Sequence, residues 1–377
     1  MRLKRLAFLS LGHVTSDLYP GMLSPLLPLL LDRYGLSMAA AGVLIMVLQA
    51  FCNLSQPIVG VLNDNRPMKS FLWLGLIVSA VPFCFILQFG RLELMIIALA
   101  ISGIGVGMYH PVAVVATGLI AKENRGGLTM ALFSSGGSFG FMTAPLVVVV
   151  VVKILGEQYM PLVLLPALVM TVLFISDRGI VVSEQHKMTV HEWFAALSES
   201  KRELFVLWLI ASFRAVVALN VGSFLPILTI ARGASYVASA YFLSGTLLTA
   251  MIGMFLGGHL SDIHGRRKVM AITLLISSPL LYVFLHTSGI FSIIMLLLGI
   301  GALSSTIPVN IFLAQRAAPK NAGMASSIVM GLPFAVASLI APPFGALADR
   351  VGIETAMNAM FFIPVLGGIA VFFLRKD

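Results

Sequence analysis

Residues 257–268 read Gly-Gly-His-Leu-Ser-Asp-Ile-His-Gly-Arg-Arg-Lys, a short basic stretch set between two long apolar runs. A worn copy lies 198 positions earlier: Gly258 falls on Gly60, Leu260 on Leu62 and Asp262 on Asp64. The register continues upstream without a gap, because Leu225-Pro226 falls on Leu27-Pro28, Gly233 on Gly35 and Ser235 on Ser37. About forty residues of each half share one spacing, as expected when an ancestral half is used twice.

Around that repeat the composition excludes a soluble domain. Of 377 residues, 59% are hydrophobic and only 10% charged, and the mean hydropathy is +1.02. This is the profile of a polytopic membrane protein, and at ~20 apolar residues per spanning helix the length accommodates roughly a dozen spans. Met1 to Arg5 is basic and 6–31 apolar, like the start of a signal peptide. The run is too long for one, carries Asp17 in its middle and lacks a small-residue cleavage site, so it reads as a retained first span. Further apolar runs lie at 37–62, 70–88, 94–119, 128–152 and 159–176, then at 204–230, 236–260, 269–287, 289–314, 323–348 and 355–374. Cys52 and Cys84 both sit inside such runs, as small packing residues.

The pattern predicts an all-α membrane protein of twelve transmembrane helices in two pseudo-symmetric six-helix halves. The expected division is an N-terminal half at 1–177, a cytoplasmic linker at 178–203 and a C-terminal half at 204–377. In the linker Trp193, Phe194 and Leu197 share one helical face, which suits either a short helix lying on the membrane or a solvated connector. Lys and Arg orient the chain. If the N-terminus is inside, eighteen of the 24 fall in cytoplasmic segments, five (Arg33, Arg91, Lys153, Arg232, Arg350) fall outside, and Arg214 lies within a span. Both termini are therefore expected in the cytoplasm. The net charge of +9 is accounted for by this asymmetry and by anionic headgroups of membrane lipids, so nucleic acid is not needed as a partner.

Twelve runs in two sixes, with Gly-x-Leu-x-Asp-x-x-Gly-Arg-Arg at 258–267 after the eighth, resemble the major facilitator superfamily. Gly258 and its neighbour Gly257 permit close helix approach, Asp262 is suited to cap a neighbouring helix, and Gly265, Arg266 and Arg267 hold the loop at the inner leaflet. The resemblance makes these residues, with Asp64 of the first copy, gating candidates. That copy has lost the Gly-Arg-Arg end to Asn65-Arg66-Pro67-Met68-Lys69. Within the superfamily the chain is similar to the fosmidomycin-resistance group of exporters. The matching stretches are Gly12-His13 through Asp17-Leu18-Tyr19, Gly103 through His110-Pro111, and Ser135-Gly136-Gly137 with Gly140 and Pro145. Later matches are Ala314-Gln315-Arg316 to Pro319, Met330-Gly331 and Gly345 to Asp349. The chain departs from drug and proton antiporters of the superfamily in two places: span four holds no Arg, and Pro145 is followed by Leu146 and a Val run where a Gly-Pro-x-x-Gly-Gly ending would stand.

The chemistry must come from polar groups placed in hydrocarbon, where each is costly and rarely faces lipid. Asp17 is the one carboxylate near the middle of a span, and His13 lies one turn before it on the same face. Both are candidates for proton coupling; the bland alternative is helix packing. Arg214 occupies the place of Ser16 in the second half, beside the symmetry mate of Asp17. As a permanent cation it needs an anionic substrate, carbonyls, or a standing ion pair with Asp17. His110, Gln49, Asn53, Gln56, Asn220 and Asn310 are further substrate-binding candidates, and interhelical hydrogen bonding is the alternative for each. For His110 a kink at Pro111 is another.

No phosphate-binding loop and no metal-ligand spacing occurs, so neither an enzyme, a cofactor nor a metal is expected. The reading is a secondary transporter, a monomer of the cell's inner membrane, that works by alternating access. The resemblance implies that it moves a small amphipathic or anionic compound outward against protons. A proton symporter or uniporter importing a metabolite, or a non-transporting sensor or lipid-handling protein, remain the alternatives.

Overall fold

A computed structural model describes residues 2–120, 126–177, 179–182, 200–318 and 322–374, and every regular element among them is helical. The helices are α1 (Arg2–Tyr34), α2 (Met38–Asn65), α3 (Phe71–Phe85), α4 (Leu92–Ile120), α5 (Gly126–Val149), α6 (Leu165–Ser176) and α7 (Lys201–Ala231). They continue with α8 (Tyr236–His264), α9 (Arg266–His286), α10 (Gly289–Ser304), α11 (Thr306–Ala317), α12 (Ala322–Val351), α13 (Ile353–Met360) and α14 (Ile363–Ala370). Several single apolar runs are interrupted. Between α5 and α6 the chain passes through a π-helix, Val150–Leu155, and a 3-10 helix, Glu157–Leu164. The tenth run breaks into α10 and α11, and the twelfth into α13 and α14.

Ten helical stretches among the described residues are long and apolar enough to cross a membrane. Two of the twelve expected spans fall short for different reasons. The α1 helix is 33 residues long but carries His13, Asp17 and several hydroxyls. The α3 helix has 15 residues, about 22 Å at 1.5 Å per residue against a hydrocarbon core of about 30 Å. Outward-facing apolar side chains such as Leu54, Ile58, Ile97, Val172, Phe255 and Phe372 are exposed, as lipid-facing helices require.

The repeat read from the sequence reappears as local geometry. Gly35 (φ 60°) and Gly233 (φ 87°) adopt the left-handed conformation that only glycine takes readily. Two residues later Ser37 Oγ accepts the Ala40 N–H at 3.1 Å and Ser235 Oγ accepts the Ala238 N–H at 3.1 Å. Each serine caps the helix that follows, α2 or α8.

Two compact units form, residues 1–36, 43–187 and 233–244, and residues 37–42, 188–232 and 245–377. In the first, α1 is the central helix and packs against α3, α4, α5 and α6. The α1–α5 contact is close because of a small-residue stripe on α5. A Cβ at Gly136 would meet the Ser10 carbonyl oxygen at 2.5 Å, and one at Gly140 would overlap that of Val14. In the second unit α7 is central, against α11, α12 and α14. Asn220 Nδ2 there donates to the Ala337 carbonyl at 3.3 Å and Asn310 Nδ2 to that of Leu207 at 3.1 Å. Both asparagines are buried and tie helix to helix, the alternative considered for them.

Candidate functional site

Three helices of the first unit bring together the polar groups of α1. His13 and Asp17 lie one turn apart, with His13 Nε2 at 3.3 Å from Asp17 Oδ2. From α4, His110 Nε2 reaches the other oxygen, Asp17 Oδ1, at 2.8 Å. From α5 come Phe133 and Gly137. The Phe133 carbonyl lies 2.8 Å from His13 Nδ1, and its ring stacks on the His13 imidazole at 4.3 Å. The His13 and His110 rings meet edge to face at 5.0 Å. Gly137 is required here, since a Cβ would overlap the Asp17 carboxylate and the His13 ring.

The hydrogen-bond logic of this cluster restricts its charge. A carbonyl oxygen only accepts, so His13 Nδ1 must carry the proton it donates to Phe133. His13 Nε2 then faces a carboxylate oxygen, and a bare lone pair there would meet the oxygen lone pairs across 3.3 Å. The contact is attractive only if a cation lies between the two atoms, in the simplest case a proton, carried either by His13 Nε2 or by Asp17 Oδ2. His110 needs no such addition, because a neutral imidazole can donate Nε2–H to Asp17 Oδ1. With that proton on either atom and His110 neutral, the three side chains sum to zero charge, which suits a site where all three are mostly buried.

Arg214, on α7 of the second unit, is 4% exposed. Its Nε has no hydrogen-bond partner among the described residues, and its guanidinium carbon stands 5.6 Å over the Phe334 ring from α12. Both oxygens of Asp17 are meanwhile engaged by histidines of its own unit. On α2, Asn53 Nδ2 donates to the Gln49 carbonyl at 2.7 Å and Gln56 Nε2 to that of Cys52 at 3.0 Å, so these amides bond along their own helix.

The motif loop behaves differently from its reading. Asp262 caps no neighbouring helix among the described residues: it is largely exposed and meets Arg266 Nη2 of its own chain turn at 3.3 Å. Arg266 stacks 4.2 Å from the Phe312 ring centre, and Arg267 donates to the Phe372 carbonyl at 3.1 Å. The closely packed glycine is Gly257, whose Cβ would overlap the Ser305 carbonyl; at Gly258 it would stand 3.7 Å from Pro308, an ordinary contact. Gly265 turns the chain between α8 and α9 at φ 91°. The Asp64 side chain, the linker helix face at Trp193, Phe194 and Leu197, and most of 178–203 lie outside the described residues.

Sequence reading missed two groups. Asn63, one residue before Asp64, is buried, accepts the Met68 N–H at 3.0 Å and donates to the Val182 carbonyl at 2.6 Å. Asp349 belongs to a third Gly-x-Leu-x-Asp, at Gly345-Ala-Leu-Ala-Asp349. Its two oxygens accept the N–H groups of Met38 at 2.8 Å and Ala39 at 2.9 Å, the first turn of α2. The helix-capping chemistry assigned to Asp262 is thus performed by Asp349. The recurrence of the pattern at 345–349 was the available signal.

The sequence model of the Major Facilitator Superfamily matches residues 9–332 and 207–377. The chain belongs to this superfamily. Its members are membrane transporters and not enzymes, and the chain is accordingly an integral, multi-pass membrane protein. The Fosmidomycin resistance protein of Escherichia coli (strain K12) is 26% identical over 97% of this chain and 92% of its own length. An uncharacterized transporter of the superfamily from Bacillus subtilis (strain 168), YfnC, is also 26% identical, over 99% and 93%. Among solved structures, the nucleoside transporter NupG superposes with a TM-score of 0.79 at 14% identity, covering 99% of this chain and 100% of that one. A bacterial homologue of the human lysosomal transporter Spinster, inward-facing and unoccupied, gives 0.78 at 16%, covering 98% and 96%. These structures share the superfamily's fold with this chain.

Proposed function

We propose that this protein is a proton-coupled secondary transporter that exports a small anionic or amphipathic compound by alternating access. The observation that carries the proton part is the His13 imidazole, whose Nδ1 must donate to the Phe133 carbonyl while Nε2 faces Asp17. Such an arrangement is satisfied with a proton and frustrated without one, which is what a coupling site needs if protonation is to favour one conformation over another. His110 joins this site as the second partner of Asp17.

Arg214 is the proposed anchor for an anionic substrate, because a buried guanidinium that pairs with no carboxylate among the described residues requires negative charge from elsewhere. Gln49, Asn53 and Gln56 are partly exposed and remain candidate substrate contacts of the first unit. Export is supported by the name of the Escherichia coli relative. The accompanying architecture is twelve spans in two six-helix halves, 1–177 and 204–377, with the linker 178–203 and both termini in the cytoplasm of an inner-membrane monomer.

The test is proton movement in proteoliposomes containing a pH-sensitive dye. A panel of small anionic and amphipathic compounds is added, with fosmidomycin first. Wild type is expected to exchange protons for a compound, and Asp17→Asn and His13→Gln to bind that compound without moving protons. Equal proton movement by Asp17→Asn would leave the cluster as a packing feature. Compound and proton moving in the same direction would select the symport alternative.

A further inference from the structure

The cluster that accommodates a proton also has the donor set and spacing of a transition-metal site. We propose that His13, Asp17 and His110 bind a divalent first-row transition ion of the Zn2+ or Co2+ type. The inference goes beyond the transport reading and does not rest on it: ion binding can be present or absent whichever way proton coupling turns out.

The argument is geometric. The ligand-capable atoms of the three side chains lie within 4.8 Å of one another. Metal–nitrogen and metal–oxygen bonds of about 2.0–2.2 Å at tetrahedral angles place ligand atoms roughly 3.3–3.6 Å apart. His13 Nε2 and Asp17 Oδ2 stand at 3.3 Å, already at that spacing. His110 Nε2 stands 2.8 Å from the other oxygen, Asp17 Oδ1, so a single oxygen faces both imidazoles only once the carboxylate or the partly exposed His110 side chain turns and this arm opens by about 0.5–0.8 Å. Two imidazole nitrogens and one carboxylate leave a fourth position open, the pattern of sites that keep an exchangeable ligand.

Two further features point to an ion. Metal-binding histidines commonly donate their other ring N–H to a backbone carbonyl, which fixes the tautomer and turns the free nitrogen toward the metal. His13 does this through Nδ1 and Phe133, with Phe133 also stacked on its ring. Gly137, in turn, keeps clear the space beside Asp17 Oδ2 and His13 Nε2 that any side chain there would fill. Nitrogen-rich sites with one carboxylate prefer Zn2+, Co2+ or Ni2+ over Mg2+ or Ca2+, which take oxygen ligands.

The sequence pattern hid this set, because His13 and Asp17 come from α1 and His110 from α4, 93 residues from Asp17. Only the His13–Asp17 pair is local, and two ligands at i, i+4 do not by themselves mark a three-ligand site.

The experiment uses the full, tag-free protein in detergent. Co2+ is titrated and the visible d–d absorption recorded, followed by displacement with Zn2+. Saturable bands of stoichiometric intensity are expected, lost on Zn2+ addition, with Mg2+ inert. His13→Gln and His110→Gln should each weaken Co2+ binding by ~10-fold or more, consistent with loss of a direct ligand. A control variant, His259→Gln/His264→Gln, should bind as wild type. Thermal unfolding establishes that each variant is folded, and Gly137→Ala supplies a test that leaves all three ligands in place and is expected to weaken binding too. Absence of saturable bands, or bands that persist unchanged in both His13→Gln and His110→Gln, means an adventitious ion only and overturns the proposal. Proton exchange in proteoliposomes is read separately, so failure of the metal site and failure of proton coupling are distinguishable.

Discussion

Three glycines on one helix, Gly136, Gly137 and Gly140, should respond to the same methyl group in two ways. Replacing glycine by alanine inside a helix gains about 1 kcal/mol of intrinsic helix propensity. At Gly136 and Gly140 the methyl would meet backbone carbonyl oxygens of Ser10 and Val14 on α1. Backbone cannot rotate aside, so α1 and α5 must separate, and overpacking of this kind costs about 1–3 kcal/mol or more. At Gly137 the atoms met are the Asp17 carboxylate, His13 Nε2 at 2.5 Å and His13 Cε1 at 2.8 Å, all at the ends of side chains. Moving each off its rotamer costs about 0.5–1.5 kcal/mol. After the propensity gain, Gly137→Ala should lose only about 0–2 kcal/mol of stability. The displaced carboxylate can no longer serve both histidines, and a misplacement of about 1 Å in a working site costs on the order of 10²-fold in rate. The assay pairs thermal unfolding in detergent with proton exchange in proteoliposomes. Gly136→Ala and Gly140→Ala are expected at reduced abundance and stability; Gly137→Ala is expected folded and deficient in exchange. Wild-type exchange by Gly137→Ala, or a stability loss as large as that of Gly136→Ala, refutes the reasoning.

Removing the Asp349 carboxylate by Asp349→Ala should lower thermal stability by about 1–2 kcal/mol, the cost of losing a charged helix cap; an unchanged unfolding temperature would show that the Met38 and Ala39 N–H groups find water equally good. Asp262→Asn loses only an exposed pair with Arg266, worth less than about 1 kcal/mol, so abundance should hold, and any gating role must then be read as altered thiol accessibility of the two membrane faces. Arg214→Ala should abolish binding of anionic compounds while sparing neutral ones, measured by thermal stabilisation of the purified protein; equal stabilisation by anions removes Arg214 as their anchor. Reporter fusions at Asp377 and within 178–203 should both report cytoplasm, and an external linker would overturn the orientation drawn from the Lys and Arg distribution.

Much of the architecture was legible because its causes are local. Apolar runs and the repeated Gly-x-Ser at 35–37 and 233–235 are each set by a few neighbouring residues, and the latter emerge in the structure as left-handed glycines and serine caps. The pairing of His13 with Asp17 was legible for the same reason, since helical spacing alone puts them on one face. Where single apolar runs break, between Ser304 and Thr306 or between Met360 and Ile363, hydropathy carried no signal, because interrupted and continuous helices are equally apolar.

The partners of these groups were decided by tertiary structure. Nothing local distinguishes His110 as a ligand of Asp17 from a histidine beside a proline. That contact depends on how α1 and α4 are rotated about their own axes, which close packing at small residues determines. The same holds for the three Gly-x-Leu-x-Asp copies. Sequence alone assigned the capping chemistry to the family's motif at Asp262, but a carboxylate caps only the helix end within its reach, and the first turn of α2 is presented to Asp349. Periodicity along a chain determines which side chains share a face. Which groups that face meets depends on contacts between segments far apart in sequence, and these become defined only when the helices pack.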